Sequence, residues 1–359
     1  MLAKRQKYLM LWRSQITQFI VTVSLIALAA CSPSSSLTPV QGDYWPTEAW
    51  RETTPENQGM NSTYFKSLRE YVEENFPHMS SVLVVRHGYI VFEESYQGEP
   101  NEYHNVASVA KSVISALIGI ALRERYIKSL DQKAVDFYPE YISPTSDPKI
   151  NDITIGHLLT MTSGLEQETN FGEDWFKRTL EQPVSDEPGQ VFHYNDAAVH
   201  LLSGILTRST HRTALEFGNE HLFQLLGIPL PSWKTDPQGN NIGGDELSLR
   251  PRDMAKLGYL YMNQGFWDGH QLVPAEWVRV STEKHAKADF LSGYYGYLWW
   301  VTAVEGHAAY YAAGFGGQYI YVIPDLDLVV VITGNASSFP EFSKYLEIVR
   351  LFIVPATSK

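Results

Sequence analysis

Residues 109–122 (VAKSVISALIGIAL) restrict the fold of this chain more than any other segment. The run has helix length, and apolar side chains fall on nearly every face of that helix. Such a helix has no side to offer to water, so it belongs in the interior with other elements packed around it. Ser108 stands at its start and Lys111 one turn on. Residues three apart share a helix face, so the amine can reach back to the hydroxyl. A Lys in a dry pocket is expected to have a lowered pKa and to accept the hydroxyl proton. The Ser-x-x-Lys spacing also occurs at Ser146–Lys149, in a polar loop with Pro148, and at Ser281–Lys284, in a charged stretch. On spacing alone, Ser108 reads equally as a plain helix N-cap beside a solvated Lys111. No G-x-S-x-G occurs, which removes the other common strand-to-helix serine turn.

The flanking pattern sets the fold class. Residues 61–75 read as a helix with a polar cap, and residues 81–96 as two β-branched, aromatic-rich runs about a His87-Gly88 turn. From about 126 to 245 the pattern becomes short helical pieces broken by Pro and Gly. Residues 251–263 read as a helix with Pro at its first position. Strands are expected at 295–303, 317–323 and 328–333, the last two about a Pro324-Asp325-Leu326-Asp327 turn, and a helix at 340–353. This order predicts an α+β fold: an antiparallel sheet flanked by helices, built from both chain ends, with a mainly helical domain inserted. The expected sheet domain comprises residues 46–125 and 246–359, and the helical domain residues 126–245.

Charge and cysteine content narrow the function. The chain carries 28 Lys and Arg against 40 Asp and Glu, a net charge of −12. A body this acidic repels phosphate backbones, so no nucleic-acid partner is expected. HExxH, CxxC, P-loop and GxGxxG patterns are all absent, so neither a metal nor an organic cofactor is expected. The single cysteine, Cys31, follows a basic segment (1–13) and an apolar one (16–30) that ends in Leu28-Ala29-Ala30. That stretch is short for a bilayer span but suits a secretory signal core. Small residues before the sole Cys resemble the bacterial lipobox, which implies lipidation of Cys31, a signal peptide over 1–30 and a membrane partner through the lipid. Ser32 follows Cys31 and no Asp does. By resemblance to the lipoprotein sorting rule, this implies a cell-envelope protein on the outer membrane, facing the periplasm. Residues 31–45, rich in Ser and Pro over 32–42, read as a tether.

Several segments, in order, resemble one family. Asn105-Val106-Ala107-Ser108-Val109-Ala110-Lys111-Ser112 is similar to the nucleophile segment of the serine β-lactamase and penicillin-binding-protein superfamily. Residues 130–135, residues 153–165 and Pro188-Gly189-Gln190-Val191-Phe192-His193-Tyr194-Asn195-Asp196 resemble its class C-like branch. The likeness spans roughly residues 45–355 and favours Ser108 as nucleophile over N-cap. It implies that Tyr194, from the family's Tyr-x-Asn motif, shares proton transfer with Lys111. A phenol beside an ammonium ionises more readily, which fits that part. Asp196 stands where the family has Asn. A carboxylate there can pair with Lys111 but donates no amide hydrogen bond. Asn195 is left as a candidate supporting residue.

The family's third motif, a cation followed by Thr or Ser and Gly, is missing. The matching strand reads Tyr311-Ala312-Ala313-Gly314-Phe315-Gly316-Gly317-Gln318. Gly314 permits close backbone approach. The resemblance implies an oxyanion hole from the amides of Ser108 and Phe315. With Ala312 and Ala313 in place of polar residues, a carboxylate-bearing substrate lacks its partner. The aromatic residues Tyr294, Tyr295, Tyr297, Trp299, Trp300, Tyr310 and Tyr311 read either as sheet core or as an apolar acyl pocket. Together these features point to a small-molecule ester or amide substrate, nearest in character to esterase and 6-aminohexanoate-oligomer hydrolase members. The alternatives are a β-lactamase or D-Ala-D-Ala carboxypeptidase, and a binding or sensor module that keeps the fold without turnover.

Overall fold

The structure, a computed structural model, describes residues 44–168, 172–288 and 293–357. The signal segment, Cys31 and most of the tether lie outside the described residues. A nine-stranded sheet organises the rest. Its strands are β1 (Arg51–Glu52), β2 (Met79–Arg86), β3 (Tyr89–Ser95), β4 (Ala286–Lys287), β5 (Tyr294–Tyr295), β6 (Trp300–Val304), β7 (His307–Gly314), β8 (Gln318–Ile323) and β9 (Leu328–Gly334). The spatial order is β1-β3-β2-β9-β8-β7-β6-β5-β4. Only the β1–β3 pair is parallel. The last strand in the chain therefore pairs with the first long one, and both chain ends build one antiparallel sheet flanked by helices, as expected.

The hairpin at β2–β3 forms where its turn residues require. Arg86 pairs with Tyr89, and His87 (φ 49°) and Gly88 (φ 78°) supply the two left-handed positions of a two-residue turn. Central strands β8 and β9 are buried at every position. Helices cover both faces of the sheet, so these strands are continuous apolar runs rather than alternating ones.

Four helices matter for the site or the core: α1 (Ser62–Asn75), α2 (Val109–Arg123), α3 (Asp196–Thr210) and α4 (Pro251–Met262). Asn61 caps α1 by accepting the Thr63 amide. Pro251 opens α4, where its missing N–H is not needed. Thirteen of the fifteen residues of α2 are buried, Lys111 among them. It packs between β7 and α3, which accounts for its lack of a polar face.

Two segments differ from expectation. Residues 295–303 are not one strand. The chain reverses over 296–299, with Leu298 at φ 60°, so Tyr295 pairs with Trp300 across a tight hairpin. Tertiary bonds hold that reversal: the Leu298 amide donates to Leu159, and the Leu298 carbonyl accepts the Ser112 hydroxyl at 2.7 Å. The C-terminal segment 339–356 is helical, but α, 3-10 and π turns alternate within it. Pro340 falls in the first turn, where its missing N–H is not needed, whereas Pro355 follows the π turn Val349–Ile353 and lacks the N–H that a continuous ladder uses.

Candidate active site

Ser108 stands at a strained corner. Ala107, just before it, adopts a left-handed backbone (φ 46°), which costs a non-glycine residue about 1–2 kcal/mol. Neighbouring bonds hold the strain in place. The Asn105 side chain accepts the Ala107 amide at 2.9 Å, and the Val106 amide donates to Leu247 at 2.8 Å. The sharp turn places Ser108 at the N-cap of α2, yet its hydroxyl makes no capping bond. That hydroxyl instead accepts from Lys111 Nζ at 2.7 Å.

Lys111 is 1% exposed and fully coordinated. Besides Ser108, its ammonium donates to the Gly244 carbonyl at 2.7 Å and pairs with Asp196 Oδ1 at 2.6 Å. With Tyr194, these give the three N–H groups of the ammonium four polar neighbours. The Tyr194 hydroxyl hydrogen-bonds both Ser108 and Lys111, and its ring centre lies 5.0 Å from Nζ. Trp300 stacks on the Tyr194 ring at 5.9 Å and 18°, and Tyr295 meets it edge-on. The sheet edge thus fixes the phenol against the N-terminal end of α2.

The protonation states reverse the expectation for both groups. Burial lowers the Lys111 pKa, but Tyr194 and Asp196 together outweigh it, and the amine sits above its ordinary value. Burial raises the Tyr194 pKa, and Lys111 does not fully offset that. At neutral pH the resting pair is therefore phenol plus ammonium, not phenolate or free amine. For Lys111, Tyr194 and then Asp196 outweigh burial; for Tyr194, burial is the largest influence and Asp196 adds to it.

Asn195 and Asp196 take different parts. Asn195 is 1% exposed, its Oδ1 accepts the Ala198 amide at the start of α3, and its Nδ2 donates to the Leu165 carbonyl at 2.9 Å. Both ends of its amide are occupied, so it shapes the loop over 165–167 and has nothing left for a substrate. Asp196 faces Lys111 and is 54% exposed on its other side. Gln167 accepts the Asp196 amide at 3.0 Å and lines the cleft beside Tyr194.

Gly314 ends β7 directly behind the nucleophile turn. A Cβ there would lie 2.3 Å from the Val106 carbonyl oxygen and 3.2 Å from Ala107 Cβ. Only glycine lets the strand approach this closely. The amides of Ser108 and Phe315 donate no hydrogen bond to other described residues. Ala312 is buried, so no side chain of the third-motif type reaches the site. The aromatic stripe is mostly core: Tyr295, Trp299, Trp300, Tyr310 and Tyr311 are buried, and none of the seven lines the clefts beside Ala107 or Tyr194.

Gly244, Gln167 and Asp245 are site neighbours that the sequence reading did not name. Gly244 lies 133 positions from Lys111, and a Cβ on it would meet Nζ at 3.2 Å. The Gly243-Gly244 pair was the one available signal, and nothing local tied it to Ser108.

The chain is similar over most of its length to known proteins. The family model described as Beta-lactamase matches residues 66–353. The 6-aminohexanoate-dimer hydrolase of Paenarthrobacter ureafaciens is 24% identical over 318 residues, covering 78% of this chain and 77% of that protein. Among solved structures, the octameric penicillin-binding protein homologue from Pyrococcus abyssi superposes with a TM-score of 0.65 at 18% identity, over 82% of this chain and 77% of that one. EstCE1, titled a hydrolase with promiscuous acyltransferase activity, gives 0.67 at 16% identity, over 85% and 99%.

Proposed function

The chain belongs to the Beta-lactamase family, whose members are serine hydrolases, and on that footing we propose that it cleaves small esters or amides through an acyl-serine on Ser108. The observation that carries this is the Lys111 environment. Gly244 O and Asp196 Oδ1 only accept hydrogen bonds, so they hold two N–H groups of the amine whatever its charge. When Lys111 loses one proton, its lone pair is left pointing at Ser108 Oγ. The amine then takes the hydroxyl proton as Ser108 attacks the carbonyl carbon. Tyr194, bonded to both, passes a proton on to the leaving alcohol or amine. The amides of Ser108 and Phe315 receive the developing oxyanion, where each such donor is typically worth about 10²–10³ in rate. Water then releases the acid and restores Ser108.

Ala312 and Ala313 support esters and amides over carboxylate-bearing β-lactams and D-Ala-D-Ala peptides, since no cation stands there to hold a carboxylate. The name of the 24%-identical relative, 6-aminohexanoate-dimer hydrolase, supports a hydrolase acting on a small molecule. We further propose that the enzyme is a lipoprotein anchored at Cys31 in the outer membrane and facing the periplasm.

Ser108→Ala should abolish p-nitrophenyl-ester turnover without changing the melting temperature. Turnover that survives in this variant rules out Ser108 as the nucleophile. Cys31→Ala should remove both palmitate label and membrane association from cells, and association that persists without label rules out the lipid anchor.

A further inference from the structure

A cleft of about 550 Å³ opens beside the nucleophile turn, with Ala107 and Phe315 among its lining residues. The charged side chains among its described lining residues are both acids, Glu102 and Asp245; no Lys or Arg lines it. His104 adds no charge at neutral pH, because burial holds its pKa below the ordinary value. Asp245 is half-buried. Its Oδ1 accepts the Glu246 amide at 2.6 Å, and its Oδ2 makes no hydrogen bond among the described residues. Gln318 supplies an independent observation. It lines the same cleft at 3% exposure, its Nε2 is tied to the Gly334 carbonyl at 2.6 Å, and its Oε1 has no partner. A buried acceptor without a donor is unfavourable, and a ligand N–H relieves it. Phe315, 60% exposed, adds an aromatic face at the mouth.

Two carboxylates (one oxygen of Glu102 also accepts the Glu99 amide at 3.4 Å), an orphaned amide oxygen and an aromatic face are together the complement of a cation that carries N–H groups. We propose that this cleft is a subsite for an ammonium or amidinium group of the substrate, held by Asp245, Glu102 and the Oε1 of Gln318. This deepens the hydrolase proposal and rests on it, because the cleft bears on turnover through its position beside Ser108. It also gives the missing third-motif cation a physical sense: the charge preference of the site is inverted, favouring cations and repelling carboxylates.

Reversible arylboronic acids test it, since they bond to an activated serine and leave their ring free to settle on either side. The probes are 3-(aminomethyl)phenylboronic acid, its neutral isostere 3-ethylphenylboronic acid, and 3-carboxyphenylboronic acid. Each is assayed as an inhibitor of p-nitrophenyl-acetate hydrolysis by the purified protein. The aminomethyl probe should bind about tenfold tighter than the ethyl probe, as a charge-assisted hydrogen bond allows, and the carboxy probe should bind weakest. Asp245→Asn should collapse the tenfold preference to within about twofold, and Glu102→Gln should reduce it in part. Circular-dichroism melting confirms that each variant is folded. Equal inhibition by the aminomethyl and ethyl probes, or a preference that survives both substitutions, overturns the subsite while fluorophosphonate labelling of Ser108 leaves the nucleophile standing. Absence of both boronate inhibition and fluorophosphonate labelling overturns the nucleophile, and the subsite with it.

Discussion

Replacing Asp196 by Asn separates charge from geometry at Lys111. The carboxylate oxygen lies 2.6 Å from Nζ. At the dielectric of bulk water, that separation corresponds to about 1.6 kcal/mol between unit charges. Asp196 is 54% exposed on its solvent side, so the water-like value is the appropriate floor. Asp196 raises the pKa of both Lys111 and Tyr194. The reactive form of the pair has one proton fewer than the resting form, so kcat/KM should rise with pH through the titration of the pair as a unit. Removing the carboxylate favours proton loss. The rising limb should therefore move to lower pH by about one unit, the equivalent of that energy. Below the limb the variant should turn over roughly tenfold faster than the parent, and the two should meet on the plateau. The Asn carbonyl still accepts the Lys111 N–H, so the lone-pair direction survives. The assay is kcat/KM for a p-nitrophenyl ester across the pH range in which the protein stays folded, followed at the wavelength where phenol and phenolate absorb equally. A limb that stays in place, or moves to higher pH, refutes the claim that Asp196 holds the proton on the pair.

Gly314→Ala should lower kcat about 10²–10³-fold, because the new Cβ pushes β7 away from Val106 and takes the Phe315 amide with it; steady-state kinetics and the fluorophosphonate labelling rate both read this. Inside the fold, His200 Nε2 lies 2.9 Å from Asp236 Oδ2, and both side chains are almost fully buried. His200→Ala removes one donor from that carboxylate, which keeps the Gln238 and Asn240 amides and the Asn240 side chain, and should cost about 1–3 kcal/mol in urea unfolding. Burial raises the Asp236 pKa, but His200 and Asn240 outweigh it and hold it below the usual value. Its stabilising contribution is thus present above the ordinary aspartate pKa and lost as pH falls through the depressed one, so parent acid unfolding should include this step and His200→Ala should weaken it.

Much of the site was legible because its parts are local or carried by spacing. Ser108 and Lys111 meet through one helical turn, and the His87-Gly88 hairpin announced itself through turn chemistry. Gly314 could be placed because close approach demands the absence of a side chain. What stayed hidden depends on contacts distant in sequence. The Gly244 carbonyl that orients Lys111 comes from a loop 133 residues away. The splitting of 295–303 follows from bonds to Leu159 and Ser112, which no local propensity encodes. The sign of the Lys111 shift is a balance between burial, which lowers it, and Tyr194 and Asp196, which raise it, and sequence alone does not say which side prevails. The dual engagement of Asn195 was likewise invisible, since its partner at Leu165 is 30 positions upstream.

The most direct test of the mechanism is the covalent intermediate itself. The protein is mixed with p-nitrophenyl acetate, quenched in acid within the first turnovers, digested and analysed by peptide mass spectrometry. The proposed chemistry predicts an acetyl group on Ser108, and its absence from the Tyr194→Phe variant or a marked slowing of its formation there. Turnover of the ester with acetyl found only on another residue, or on none, would contradict it.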